Sequence, residues 1–307
     1  MKVSFICPVY NKIKYLPSVI NSIKNQVGHF KKEYIFINDG SNDGSLEFLK
    51  KETKNWKNKK IISQINKGPA IATQKGINLS KGDYIKLVGG DDIMSPYCTK
   101  LLLDTIVKTS SIAVFSDYEL LANNKKKKFK IEAPLLNKII SNPLEKTISS
   151  NFSGTTPNLY CAKGVKKSKG CDTRLFIEDY SLVLRLSYYG KFAFINNITC
   201  YGPENDKSRI MVSKETQLLH DYNAALFYFI KENRLKKHLI DIACKKCLGR
   251  SEKWFRRNIK NSIFTNINLL RLLFYFSISD NIELIKKSCN IFYHNDKLKQ
   301  KVRYRIS

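Results

Sequence analysis

The chain has 307 residues, 43% of them hydrophobic and 26% charged, enough for one large α/β domain with an appendage or for two modest domains. Its formal charge of +28 suggests an anionic partner, although an excess carried by Lys beside abundant Asn and Ile also follows from nucleotide bias alone. No apolar run reaches the roughly 18 residues of a spanning helix, the opening run lacks a signal-peptide pattern, and the eight cysteines lack zinc-site spacing, so a cytoplasmic chain with free thiols is expected.

Short β-rich runs at 3–7, 34–37, 60–63, 84–88 and 112–116 alternate with helix-period stretches, which predicts parallel strands joined by crossover helices. The first intervening helix places Leu16, Ile20, Ile23 and Val27 on one stripe, with Pro17 in its first turn. Pro69 and Pro96 read as first-turn prolines of two later helices. The run Lys125 to Lys128 reads as a solvated loop between two strands, and 192–196 and 198–200 as further strands, after which the β signal stops near Gly202. Beyond it the pattern is helical, with Leu235, Leu239 and Ile242 on one stripe and Trp254 and Phe255 beside Arg256 and Arg257. From residue 211 onward 20 Lys and Arg face 8 Asp and Glu, so +12 of the charge lies in the last third and +16 in the first 210 residues.

Ligands of open α/β sheets bind where strands end, so the polar residues closing each apolar run carry the chemistry. The first run ends in Cys7, Pro8, Val9, Tyr10 and Asn11, the second in Asn38, Asp39 and Gly40, and the fourth in Gly89, Gly90, Asp91 and Asp92. Carboxylates at two of these ends, beside glycines that admit close backbone approach, suit a nucleotide with a divalent cation. Each signal also has a plain reading: Asp-Gly-Ser is an ordinary turn, and Asp91 and Asp92 could cap a helix. Glu178 and Asp179 open a segment with Leu182, Leu186 and Tyr189 at helical spacing, where the helix dipole favours an ionised carboxylate. The four histidines lie outside all these segments.

Four ordered blocks, VSFICPVYN, FINDGSNDGS, NKGPAIATQKGINLSKGDYIKLVGGDD and GCDTRLFIEDYSLVLRLSYYGK, resemble those of family 2 glycosyltransferases of GT-A type across residues 1–200. The resemblance implies a Rossmann-like, mostly parallel sheet flanked by helices, with 1–120 as the nucleotide-sugar half and 121–210 as the acceptor half of one catalytic domain. Residues 211–307 would form a basic helical extension. It implies Pro8, Val9 and Tyr10 along the nucleotide base, Asp39 on the base edge, Gly90 and Asp91 at the donor, Asp91 as ligand of Mn²⁺ or Mg²⁺, and Asp179 as general base. Asp92 and Glu178 would support the site or face the acceptor. Two departures stand out: Gly89 replaces the first Asp of the DxD-like motif, and Thr73 replaces an Arg that would face the diphosphate, for which Lys67 or Lys75 could compensate.

The resulting expectation is an inverting enzyme that moves a sugar, from a UDP-sugar first of all, to a glycan or lipid-linked acceptor in surface-polysaccharide or lipopolysaccharide synthesis. The acceptor would lie between Asp179 and the loop 153–158. The basic, aromatic extension would suit an anionic membrane at the inner face of the cell. A nucleotidyltransferase would need a Gly-rich phosphate loop after the first strand, which CPVYNK lacks. A nucleic-acid binder would be expected to show aromatics interleaved with Lys and Arg on one strand face or a recognised binding motif, and the sequence shows neither. A non-catalytic relative that binds a glycan or partner remains the alternative that Gly89 and Thr73 motivate.

Overall fold

The computed structural model describes residues 1–121, 129, 133–150, 152, 156–204, 214–259, 266–293 and 302–306. In chain order the first half is β1 (Lys2–Val9), α1 (Leu16–Lys24), β2 (Lys31–Asn38), α2 (Ser45–Glu52), β3 (Lys59–Ser63), α3 (Pro69–Leu79), β4 (Tyr84–Leu87), β5 (Ile93–Met94), α4 (Cys98–Thr109) and β6 (Ala113–Leu121). Then follow β7 (Leu136–Ile140), α5 (Leu144–Ser149), β8 (Asn158–Cys161), α6 (Ala162–Lys167), α7 (Asp179–Leu186) and β9 (Phe192–Pro203). The helical region contains α8 (Glu215–Glu232), α9 (Lys237–Asn258), α10 (Asn266–Tyr275) and α11 (Asn281–Asn290).

The strands form one sheet in the order β3-β2-β1-β4-β8-β6-β9-β5, with β7 on β9. β1, β2, β3, β4, β6 and β9 share one direction, while β5, β7 and β8 oppose it, so the sheet is mostly parallel as expected. β1 sits between β2 and β4 and is buried on both faces, which is why it reads as a continuous apolar run rather than an alternating one. One face is covered by α1 and α4, through Leu16, Val19, Leu102 and Ile106. The other is covered by α3, α6 and α7, through Ala72, Ile77, Val165 and Leu182. This is the two-sided α/β arrangement that the strand-helix rhythm implies.

Several sequence expectations shift. The two strand runs near residue 195 are one strand, β9, which stays paired to β6 across register shifts at Ser116, Asp117 and Tyr118. Pro96 precedes α4 by two residues instead of lying in its first turn, and Val27 lies beyond α1 and is exposed. Asp91 and Asp92 cap no helix, because the short strand β5 follows them and pairs with β9. The Lys125 to Lys128 run lies outside the described residues.

Helices α8, α9 and α11 pack together and onto α5 and α7. Their apolar cluster includes Ile148, Leu175, Ile177, Tyr180 and Leu184, so the helical region shares its core with the segment around Asp179. Trp254 is only 2% exposed, donates to Thr216 Oγ1 at 3.1 Å and stacks edge-on against Phe292. That burial removes Trp254 from the aromatic surface that the basic extension could offer a membrane.

Candidate active site

The parallel strands β1, β2 and β4 end side by side at Val9, Asn38 and Leu87, so the loops after them meet in one crevice. The loop after β1 is latched by the loop after β2. Asn11 N donates to Ser41 Oγ and Lys12 N to Ser45 Oγ, both at 3.0 Å, and Ile13 N donates to Asp43 Oδ2 at 3.0 Å. Burial opposes the Asp43 charge, but hydrogen bonds from Ser45 and Ile13 outweigh it and hold the carboxyl below its ordinary range. The Asp-Gly-Ser signal is therefore a structural latch as well as a strand end. Pro8 is half-buried and Val9 buried at the end of β1, and Tyr10, the residue after the strand, is exposed.

Asp39 is buried, and its carboxylate accepts from Lys67 N at 2.9 Å, Gly68 N at 2.8 Å and Gln64 Nε2 at 2.8 Å. Gly40 permits this: a Cβ there would stand 2.8 Å from Asn66 N, and its φ is +77°. A carboxylate offers about four lone-pair positions, so three bonds leave capacity for one ligand donor.

The turn after β4 divides its carboxylates between two tasks. Asp92 is buried and accepts from the hydroxyls of Thr156 and, at 3.3 Å, Tyr118, while Gly89 N donates to Thr156 Oγ1 at 2.8 Å. A Cβ on Gly89 would lie 2.5 Å from Asp92 Oδ2, so any larger residue at this position would require the Asp92 carboxylate to shift. Asp91 points the other way and pairs with Lys12, Nζ to Oδ2 at 2.7 Å, with side chains 11% and 13% exposed. Gly90 makes room for this lysine, since a Cβ at 90 would come within 3.0 Å of Lys12 Cγ.

Lys12 is the functional candidate that motif reading passed over, although it follows directly on CPVYN. Lys67 and Lys75 were the proposed stand-ins for the missing arginine, but the residue placed on the acidic turn is Lys12. Thr73 is fully buried on α3, and its hydroxyl has no hydrogen-bond partner among the described residues.

Asp179 is the first residue of α7 and Glu178 its N-cap. Asp179 Oδ1 accepts from Tyr180 N at 2.7 Å within the first turn of α7, the helix end whose dipole attracts negative charge. The loop leading to it is held rigidly: Cys171 N donates to Gln74 Oε1 at 2.7 Å, and Asp172 accepts from Arg174 and from Arg185 at 2.7 Å. Fully buried Asp221 of α8 accepts from Phe176 N at 2.6 Å and Ile177 N at 3.2 Å. The Phe176 ring packs against Gly68, so this loop abuts the one that holds Asp39. Tyr160 of β8 lies beneath; burial, then the charges of Asp179 and others, push its phenol well above the ordinary range. Residues 153–155 of the expected acceptor loop lie outside the described residues, whereas Thr156 supports Asp92.

Among the described residues no cluster of three or more His, Cys, Asp or Glu could hold a metal by itself. The donor set fits a divalent cation only in the mode where one carboxylate, Asp91, combines with substrate phosphates and water.

Residues 4–160 match the Glycosyl transferase family 2 pattern, which spans just over half of the chain. The chain belongs to that family. It is 29% identical over 207 residues to a chondroitin synthase of Escherichia coli, covering 65% of this chain and 28% of that protein. It is 33% identical over 135 residues to a cholesterol galactosyltransferase of Borreliella burgdorferi, covering 43% and 37%. The chain thus spans less than two fifths of these relatives' length. In structure it is similar to S. aureus TarS 1–349 in complex with UDP-GlcNAc, with TM-score 0.63, 16% identity and coverage of 95% and 87%. It is also similar to the mannosyltransferase PcManGT from Pyrobaculum calidifontis in complex with GDP-Man and Mn²⁺, with TM-score 0.61, 10% identity and coverage of 97% and 88%. These likenesses show the GT-A fold.

Proposed function

We propose that this family 2 chain is an inverting glycosyltransferase that takes its sugar from a nucleotide-sugar, with UDP-sugars first among donors. The observation that carries the reading is the meeting of Asp39, the Gly89 to Asp92 turn with Lys12, and the Asp179 loop around the ends of β1, β2 and β4. The TarS complex with UDP-GlcNAc supports the donor class.

In this reading the base lies over Pro8, Val9 and Tyr10, with its edge on the free position of Asp39. The diphosphate meets Gly90 and Asp91, where a divalent cation would supply charge neutralisation of the leaving group. Lys12 contributes a second positive charge within reach of the same phosphates once it releases Asp91. Asp179 takes the acceptor hydroxyl proton, and the oxygen attacks the anomeric carbon opposite the departing nucleotide, a contribution of roughly 10²- to 10⁴-fold from the base. Glu178 flanks the acceptor, and Asp92 acts through Thr156 and Tyr118 to fix the turn. Residues 1–210 carry this chemistry, and 211–307 hold the Asp179 loop from behind.

The acceptor we propose is a glycan or lipid-linked saccharide of surface-polysaccharide synthesis, met at the inner membrane face. Among the described residues no helix is long and apolar enough to cross a membrane. The membrane candidate is instead the outer side of α10 and the turn after it, where Tyr275 is 80%, Phe276 63% and Ile278 68% exposed. Such a run of exposed large apolar residues on a strongly basic chain suits an anionic lipid surface.

The test is transfer or donor hydrolysis by the purified protein across UDP-, GDP-, CMP- and dTDP-sugars, with and without Mn²⁺. A protein that binds one of these donors yet never turns it over, with any glycan acceptor offered, has the non-catalytic role instead.

A further inference from the structure

Residues 302–306 run back from the helical region to the donor crevice. Val302 and Ile306 are buried in the helical cluster, while Ile306 N donates to Tyr293 Oη at 2.8 Å and Arg303 N to Gln217 Oε1 on α8. Between these anchors two side chains reach the loop after β3. Arg303 Nη2 donates to Asn66 O at 2.7 Å and Nη1 to Asn66 Oδ1 at 2.8 Å, and Tyr304 Oη donates to Lys67 O at 2.6 Å.

The carbonyls so bound belong to the two peptide units that hold Asp39. Asn66 C=O and Lys67 N–H are one unit, with Arg303 on its oxygen and Asp39 Oδ1 on its nitrogen side. Lys67 C=O and Gly68 N–H are the next, with Tyr304 on its oxygen and Asp39 Oδ2 on its nitrogen side. A donor on a carbonyl polarises the amide and strengthens the bond its N–H makes, and two donors also fix the planes in which the N–H groups lie. The strap is tied in turn to the other half of the site. Gln217, which holds Arg303 N, also donates to Asp221 Oδ1 at 2.7 Å, and Asp221 Oδ2 holds the Phe176 loop leading to Asp179.

We propose that 302–306 is a strap belonging to the donor site, with Arg303 and Tyr304 as positioning residues that aim the Asp39 carboxylate at the nucleotide base. This rests on the reading of Asp39 as the base-edge acceptor. A bystander strap would only add packing, and Arg303 is exposed and Tyr304 half-buried, so the loss of these two side chains should then leave ligand binding untouched.

The test uses the full chain with Arg303→Ala, Tyr304→Phe, the double variant, Arg303→Lys and, as control, Asp39→Asn. Nucleoside diphosphates of uracil, guanine, cytosine and thymine are titrated calorimetrically, beside inorganic pyrophosphate with Mn²⁺, and amide exchange of Lys67 and Gly68 is followed in the absence of ligand. The double variant is expected to bind the preferred nucleotide about tenfold more weakly, with pyrophosphate binding unchanged and both amides exchanging faster. Arg303→Lys should restore less than half the loss, because an ammonium cannot bridge the Asn66 oxygens as the guanidinium fork does. Unchanged affinity and unchanged exchange in the double variant overturn the strap. If Asp39→Asn leaves nucleotide affinity intact, or no nucleotide binds the parent protein, the base-edge reading fails instead, and unaltered amide exchange still decides against the strap.

Discussion

Replacing Lys12 by Met keeps the methylene stem that packs on Gly90 and removes only the ammonium. At 2.7 Å and an effective dielectric constant of about 20, the direct attraction to Asp91 is about 6 kcal/mol. Desolvation of two largely covered groups takes back most of that, and a charge-assisted bond of this kind nets about 2 kcal/mol. The metal-free variant should therefore melt about 4 °C lower than the parent. Mn²⁺ added alone acts in the opposite sense. In the parent it competes with the ammonium for Asp91, in Lys12→Met it does not, so the variant should gain more thermal stability per increment of Mn²⁺. Nucleotide binding in EDTA should weaken as well, since the second positive charge has gone. Melting curves over a Mn²⁺ series, with and without nucleotide, measure all three. Equal melting temperatures and superimposable Mn²⁺ responses of parent and variant would show that Lys12 neither stabilises the fold through Asp91 nor competes with a cation for it.

Asp179→Asn keeps an oxygen for Tyr180 N but cannot take up a proton, so donor affinity and melting temperature should hold while kcat falls roughly 10²- to 10⁴-fold; near-normal single-turnover transfer excludes Asp179 and moves the test to Glu178. Burial opposes the Asp172 charge, but Arg174 and Arg185 outweigh it and hold the carboxyl below its ordinary value. A depressed folded value stabilises above the unfolded value and is lost as pH falls through the folded one, so Asp172→Asn should flatten the acid limb of stability below about pH 4, as urea melts at stepped pH will show. Replacing both Tyr275 and Phe276 by Glu should cut sedimentation with phosphatidylglycerol vesicles by roughly tenfold without changing nucleotide affinity; retained vesicle binding removes α10 as the docking surface.

Much of the architecture is legible in the sequence. Strands buried on both faces read as continuous apolar runs, Pro69 announced the start of α3, and the polar residues closing β1, β2 and β4 marked the crevice, because parallel neighbours must end on the same side. The short strands β5, β7 and β8 escaped notice. With two to five residues each, they owe their pairing to β9, β6 and β4 and not to any periodicity of their own.

The chain's local pattern determined the fold class, the four motif blocks and the carboxylates worth naming, since all three depend on residues near in sequence. Their division of labour depends on partners far along the chain. Asp91 and Asp92 are indistinguishable as neighbours, yet Lys12 takes one while Thr156 and Tyr118 take the other. Asp39 is held by a loop that Arg303 and Tyr304 grip from 237 residues away. Hydrogen bonds and ion pairs act over about 3 Å, and only the folded backbone decides which distant groups come that close.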